Sequence, residues 1–100
     1  MTIEQTLQNE IQESKRWMDK AEGVYKRDLI KRIELINWVL EKMKSPNICA
    51  VIESKMNEII DKINKADFIF EVDPLDNELR ILDWILYQVC GNKLKEFIIL

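Results

Sequence analysis

Apolar residues recur every three or four positions through most of this 100-residue sequence. This spacing matches the turn of an α-helix and places the apolar side chains of each segment on one face. Four such segments follow one another, at about residues 3–22, 25–44, 46–66 and 74–90. The pattern predicts an all-α fold, a four-helix bundle of two helical hairpins, because short connections place consecutive helices antiparallel.

Capping residues, prolines and glycines mark the expected helix ends. Thr2 is a predicted N-cap, and Ser45-Pro46 and Asp73-Pro74 are predicted to open the third and fourth helices. Gly91 is predicted to end the fourth. Gly23 leaves two alternatives for the first two segments, a turn between two helices or a kink in one, and we favour the turn.

Two apolar segments lie outside the helical pattern. Residues 68–72 are predicted to form an extended connection, because Phe68, Phe70 and Val72 alternate with their neighbours. The sequence also ends in an apolar tail, residues 97–100. Both segments together would expose a large apolar surface in a monomer, so we predict a homo-oligomer. Pairing of the two segments within one chain is the rival explanation. The predicted oligomer contact consists of Phe68, Phe70, Phe97, Ile98, Ile99 and Leu100.

Length and composition predict one helical domain over residues 1–100. No apolar run approaches the roughly 20 residues that cross a bilayer, so no membrane association is predicted. The first ten residues are polar and lack the pattern of a secretory signal. We therefore expect a cytoplasmic protein.

The absence of histidine argues against most enzyme classes. Histidine is the commonest general base and the commonest transition-metal ligand, so its absence disfavours metal catalysis and Ser-His chemistry. Cys49 and Cys90 lie in apolar stretches without a Cys-x-x-Cys pattern, which favours small buried side chains over a disulfide. We predict no enzyme activity, no catalytic residue, no metal site and no cofactor.

One octapeptide recurs in the second and fourth helical segments. The sequence from Ile33 to Leu40 resembles that from Leu79 to Leu86, with Trp38 matching Trp84. Either an ancestral duplication or convergence of two core helices explains this similarity. In both cases the two tryptophans are predicted to be substantially buried at comparable places.

The charge is unevenly distributed along the chain. Residues 15–32 hold seven basic and three acidic residues, a net charge of +4, whereas the whole protein has −3 and the remainder therefore −7. Basic side chains beside aromatic rings can hold a phosphate and stack on a base. The predicted ligand site consists of Arg16, Trp17, Lys20, Tyr25, Lys26 and Arg27. The alternative is that these residues are solvated helix faces stabilised by local ion pairs.

These observations favour a non-enzymatic binding protein, a small adaptor or inhibitor that contacts a protein partner. The alternative function is an oligomeric protein that sequesters an anionic, nucleotide-like small molecule at residues 15–32. The net negative charge and the lack of a recognisable DNA- or RNA-binding motif disfavour nucleic acid as a partner.

Overall fold

A computed structural model of the protein describes residues 2–91. The helices of this range are α1 (Ile3–Met18), α2 (Gly23–Lys42), α3 (Ile48–Lys65) and α4 (Ile69–Cys90). Helix α1 packs against α2, and α3 packs against α4. These contacts confirm the predicted all-α class and the two helical hairpins. They also decide between the two alternatives at Gly23, which is the first residue of α2 after a turn.

The chain divides into two compact units, Met1–Pro46 and Asn47–Leu100, each built around one hairpin. The prediction of one domain over residues 1–100 stays a prediction.

The first unit begins with the predicted N-cap. The Thr2 Oγ1 atom accepts a hydrogen bond of 3.1 Å from the Gln5 backbone N–H, and Gln5 Oε1 accepts one of 2.9 Å from the Thr2 N–H. This reciprocal pair satisfies two backbone donors that have no partner inside the helix. The start of α1 is therefore fixed by local sequence.

Helices α1 and α2 pack against each other through their apolar faces. An ion pair of 2.9 Å between Arg32 and Glu10 also joins the two helices. The buried residues of this unit are Leu7, Ile11, Ser14, Ala21, Leu29, Leu35, Ile36 and Val39.

The second unit repeats part of this pattern on α4. Leu35, Ile36 and Val39 of α2 correspond in the repeated octapeptide to Ile81, Leu82 and Ile85 of α4, and all six are buried. Trp38 and Trp84 lie equally far from the first residues of α2 and α4, and both are partly buried. The three matched pairs of apolar residues are therefore buried alike in the two helices, whereas the tryptophans are less buried than predicted. The buried residues of α3 are Ile52, Met56 and Ile59, and Leu79 and Leu86 complete those of α4.

A disulfide closes the α3–α4 hairpin, and the prediction of two unpaired buried cysteines is wrong. Cys49 near the start of α3 is bonded to Cys90 at the end of α4, with Cα atoms 6.1 Å apart. Antiparallel packing brings these two helix ends together although 41 positions separate the cysteines. The bond therefore lies at the end of the hairpin opposite to its turn.

The predicted extended connection at residues 68–72 is also wrong, because α4 already begins at Ile69. The Glu71 carboxylate accepts hydrogen bonds from the backbone N–H groups of Asp67 and Phe68, at 3.1 and 3.4 Å. This carboxylate satisfies donors at the helix start and complements the positive end of the helix dipole. Pro74 consequently lies inside α4, where it donates no backbone hydrogen bond.

The end of α4 agrees with the prediction. Gly91 has φ +70°, and its N–H donates to the Tyr87 carbonyl at 2.9 Å. Glycine adopts this left-handed conformation without a Cβ clash, which explains why the helix ends there. The apolar tail at residues 97–100 lies outside the described residues.

Candidate functional site

Three consecutive exposed apolar side chains lie at the turn between α3 and α4 and at the start of α4. Phe68, Ile69 and Phe70 are 58%, 82% and 71% exposed. The rings of Phe68 and Phe70 are stacked, with centroids 5.4 Å apart. A contiguous exposed apolar cluster in a folded protein is typical of a surface that contacts another molecule.

The residues around this cluster are acidic. Residues 66–79 contain five acidic residues and no basic one. Asp67 precedes the cluster, Glu71 caps α4, and Asp73 lies one turn after Ile69 on the same face of the helix. We call the surface formed by Asp67, Phe68, Ile69, Phe70, Glu71 and Asp73 the acidic tip.

The nearest preceding lysine carries an internal ion pair. Lys65 Nζ donates to Asp61 Oδ2 at 2.9 Å, and this hydrogen bond together with the charge of Asp61 raises the pKa of Lys65 above its usual value. Because Lys65 and Asp61 neutralise each other, the net negative charge of the acidic tip is retained.

A second candidate surface is an open groove of about 390 Å³ along α2. Its residues follow one another at alternating steps of three and one, and they lie on the face of α2 opposite to its buried residues. Ile30 is 40% exposed at the centre of this face. The residues that form this α2 groove are Gly23, Lys26, Arg27, Ile30, Lys31 and Glu34.

The α2 groove carries a positive charge that is partly paired. Both Nε and Nη2 of Arg27 donate to Asp28 Oδ1, at 3.2 and 3.0 Å. Lys31 lies 3.2 Å from Glu34. For Lys26 no ion pair is found among residues 2–91. The groove is therefore a basic surface with an apolar centre.

The structure places only two of the six predicted ligand-binding residues, Lys26 and Arg27, in this groove. Successive residues of a helix point about 100° apart, and Tyr25, which precedes Lys26, does not line the groove. Arg16 lies in α1 and forms an ion pair of 3.4 Å with Glu13. The other two predicted residues, Trp17 and Lys20, are exposed and do not line the groove.

The sequence prediction missed four groove residues, Gly23, Ile30, Lys31 and Glu34. It also missed one of the most exposed tip residues, Ile69. The sequence between Lys26 and Glu34 contained a signal for the groove. Ile30 lies there away from the buried face of α2, and basic residues lie within one helical turn on either side of it. Ile69 had no comparable signal, since the helical start of α4 was not predicted.

The described part of the chain contains no set of three or more Cys, Asp or Glu side chains placed to hold a metal ion. Between residues 2 and 91, no helix is long and apolar enough to cross a membrane. The acidic tip can bind basic and apolar groups. The α2 groove can bind acidic and apolar groups.

Comparisons with protein-family models, with curated proteins and with solved structures found no match.

Proposed function

We propose that this protein is a non-enzymatic binding protein, a small adaptor or inhibitor that contacts a protein partner through the acidic tip. The observation that carries the proposal is the exposure of Phe68, Ile69 and Phe70 within an acidic segment. Aromatic side chains often supply much of the binding energy of protein interfaces. Surrounding charges guide association and reject wrong partners. The expected partner surface is an apolar pocket bordered by lysine or arginine.

Photo-crosslinking tests this function. Phe70 is replaced by a photoreactive phenylalanine analogue, and the cross-linked products in cells are identified by mass spectrometry. Tyr87 is the matched control, because it is an exposed aromatic residue of the same helix outside the acidic tip.

A defined product that forms from position 70 but not from position 87, and that disappears on Ile69→Asp, supports the proposal. Equal products from both positions, or none from position 70, contradict it.

Sequestration of an anionic, nucleotide-like molecule is the second candidate function, and the presence of Lys26 and Arg27 in one groove favours it. A ligand that binds the native state raises the melting temperature. Melting against a panel of nucleoside phosphates should then show a shift that Lys26→Glu/Arg27→Glu removes. The matched variant Lys42→Glu/Lys44→Glu should retain the shift, because it makes the same charge change near the far end of α2. The absence of a shift for every nucleotide contradicts this second function.

A cytoplasmic location is part of the proposal, and the Cys49–Cys90 bond makes it testable. Disulfides are rare in the reducing cytosol. Rapid alkylation of cells that express the protein, followed by mass spectrometry, should find both thiols free if the protein resides there. A fully oxidised pair contradicts a reducing cytoplasmic location.

A further inference from the structure

We propose that the partner surface for the acidic tip is the α2 groove of a second copy of this chain. This inference rests on the proposed function, because it uses the acidic tip as the binding surface. It also gives the predicted homo-oligomer a specific contact.

Charge complementarity is the first argument. The acidic tip combines the carboxylates of Asp67, Glu71 and Asp73 with an exposed apolar cluster. The α2 groove combines three basic side chains and one acidic side chain with the exposed face of Ile30. The two surfaces therefore have opposite charge, and each has an exposed apolar centre that the other can cover.

The position of the basic residues is the second argument. Lys26 lies in the first turn of α2 and Arg27 follows it, at the end of the helix where the dipole disfavours cations. Helix α2 has no acidic residue in its first turn, and the N-cap Glu22 makes no side-chain capping bond. The stability of the helix itself therefore does not favour a basic residue at position 26. A role in binding explains it.

The shape of the groove is the third argument. The groove is open, and its volume of about 390 Å³ is sufficient for one or two apolar side chains of a partner. Ile69 is the most exposed apolar residue of the tip, and it projects from the first turn of α4 beside Asp73. We therefore assign Ile69 to the contact with Ile30, and Asp73 to the contact with Lys26 or Lys31.

Two complementary charge reversals test the contact. One variant, Lys26→Glu/Arg27→Glu, makes the groove acidic and leaves the tip unchanged. The other, Asp67→Lys/Asp73→Lys, makes the tip basic and leaves both the groove and the capping carboxylate of Glu71 unchanged.

Sedimentation velocity over a range of concentrations should show association of the wild-type protein. In each variant alone the two surfaces have the same sign, and we expect the dissociation constant to rise by about tenfold or more. In an equimolar mixture every tip again meets a groove of opposite sign, so association should return. Recovery in the mixture excludes misfolding as the cause of the loss in each variant. The control Lys42→Glu/Lys44→Glu should associate like the wild type.

A wild-type chain that is monomeric at all concentrations overturns the inference. So does undiminished association of either reversed variant, or failure of the mixture to recover. The proposed function is judged separately, because a cross-link from position 70 to a different protein supports it even when the wild-type chain is monomeric. A cross-link from position 70 to α2 of a second copy supports both.

Discussion

Removal of the Cys49–Cys90 disulfide should destabilise the α3–α4 hairpin more than any other single change that keeps its core intact. The bond connects positions that are 41 residues apart in sequence. In the chain-entropy treatment, closing a loop of this length lowers the entropy of the unfolded chain by about 13 cal/mol/K. At 25 °C this corresponds to about 4 kcal/mol in the free energy of unfolding. Small domains have about 5–15 kcal/mol in total, so the loss is a large part of the stability.

Urea unfolding followed by circular dichroism measures this change. The three samples are the oxidised protein, the protein with a phosphine reductant, and Cys49→Ser/Cys90→Ser. We expect the last two to unfold at similar, lower urea concentrations. The reductant should have no further effect on the double variant, which provides the control.

Hydrogen exchange locates the effect. Because the bond lies within the second unit, the amides of α3 and α4 should lose protection, whereas those of α1 and α2 should change little. A loss of less than about 1 kcal/mol would refute the entropic reasoning. Loss of protection confined to α1 and α2 would contradict the assignment of the bond to the second hairpin.

Three further predictions concern charged side chains. Lys26→Glu should raise the free energy of unfolding by about 0.3–1 kcal/mol at low salt, because an acidic residue suits the start of α2; a destabilised variant in thermal melts would contradict the dipole argument. A double-mutant cycle on Glu10 and Arg32 should give a coupling of about 0.2–1 kcal/mol, since both side chains are about one-third exposed; zero coupling in urea melts would show that the pair contributes nothing. Asp83 Oδ1 is buried and has no hydrogen-bond partner among the described residues. Because a neutral amide costs less free energy to bury than a carboxylate, Asp83→Asn should stabilise the protein by about 1 kcal/mol. A lower melting temperature for Asp83→Asn would indicate that the charge is compensated.

Structural features that depend only on residues close together in the sequence, such as buried helix faces and helix caps, were predictable from the sequence. The spacing of Leu7 and Ile11, or of Leu82 and Ile85, placed these side chains on the buried face of their helices because helical geometry is local. The N-cap at Thr2 and the helix end at Gly91 follow from interactions over three or four residues. The turn before Gly23 was favoured for the same kind of reason.

The candidate surfaces were only partly predictable. Composition identified a basic segment at residues 15–32, and the direction of each side chain then decided which residues share a face. Lys26 and Arg27 lie in the α2 groove, whereas Trp17 and Tyr25 do not. The start of α4 was missed because Pro74 suggested a helix beginning, whereas the Glu71 carboxylate stabilises one at Ile69.

Local spacing and capping thus specify the four amphipathic segments and the helix ends at Thr2 and Gly91, since each depends on contacts within a few residues. The predicted starts at Ser45-Pro46 and Asp73-Pro74 are wrong, because α3 begins at Ile48 and α4 at Ile69. The contact between Cys49 and Cys90 depends on tertiary packing. The physical reason is that antiparallel packing brings together helix ends far apart in sequence, and no local propensity encodes that proximity. The same packing decides that Ile30 and Ile69 stay exposed while Ile36 and Ile85 are buried.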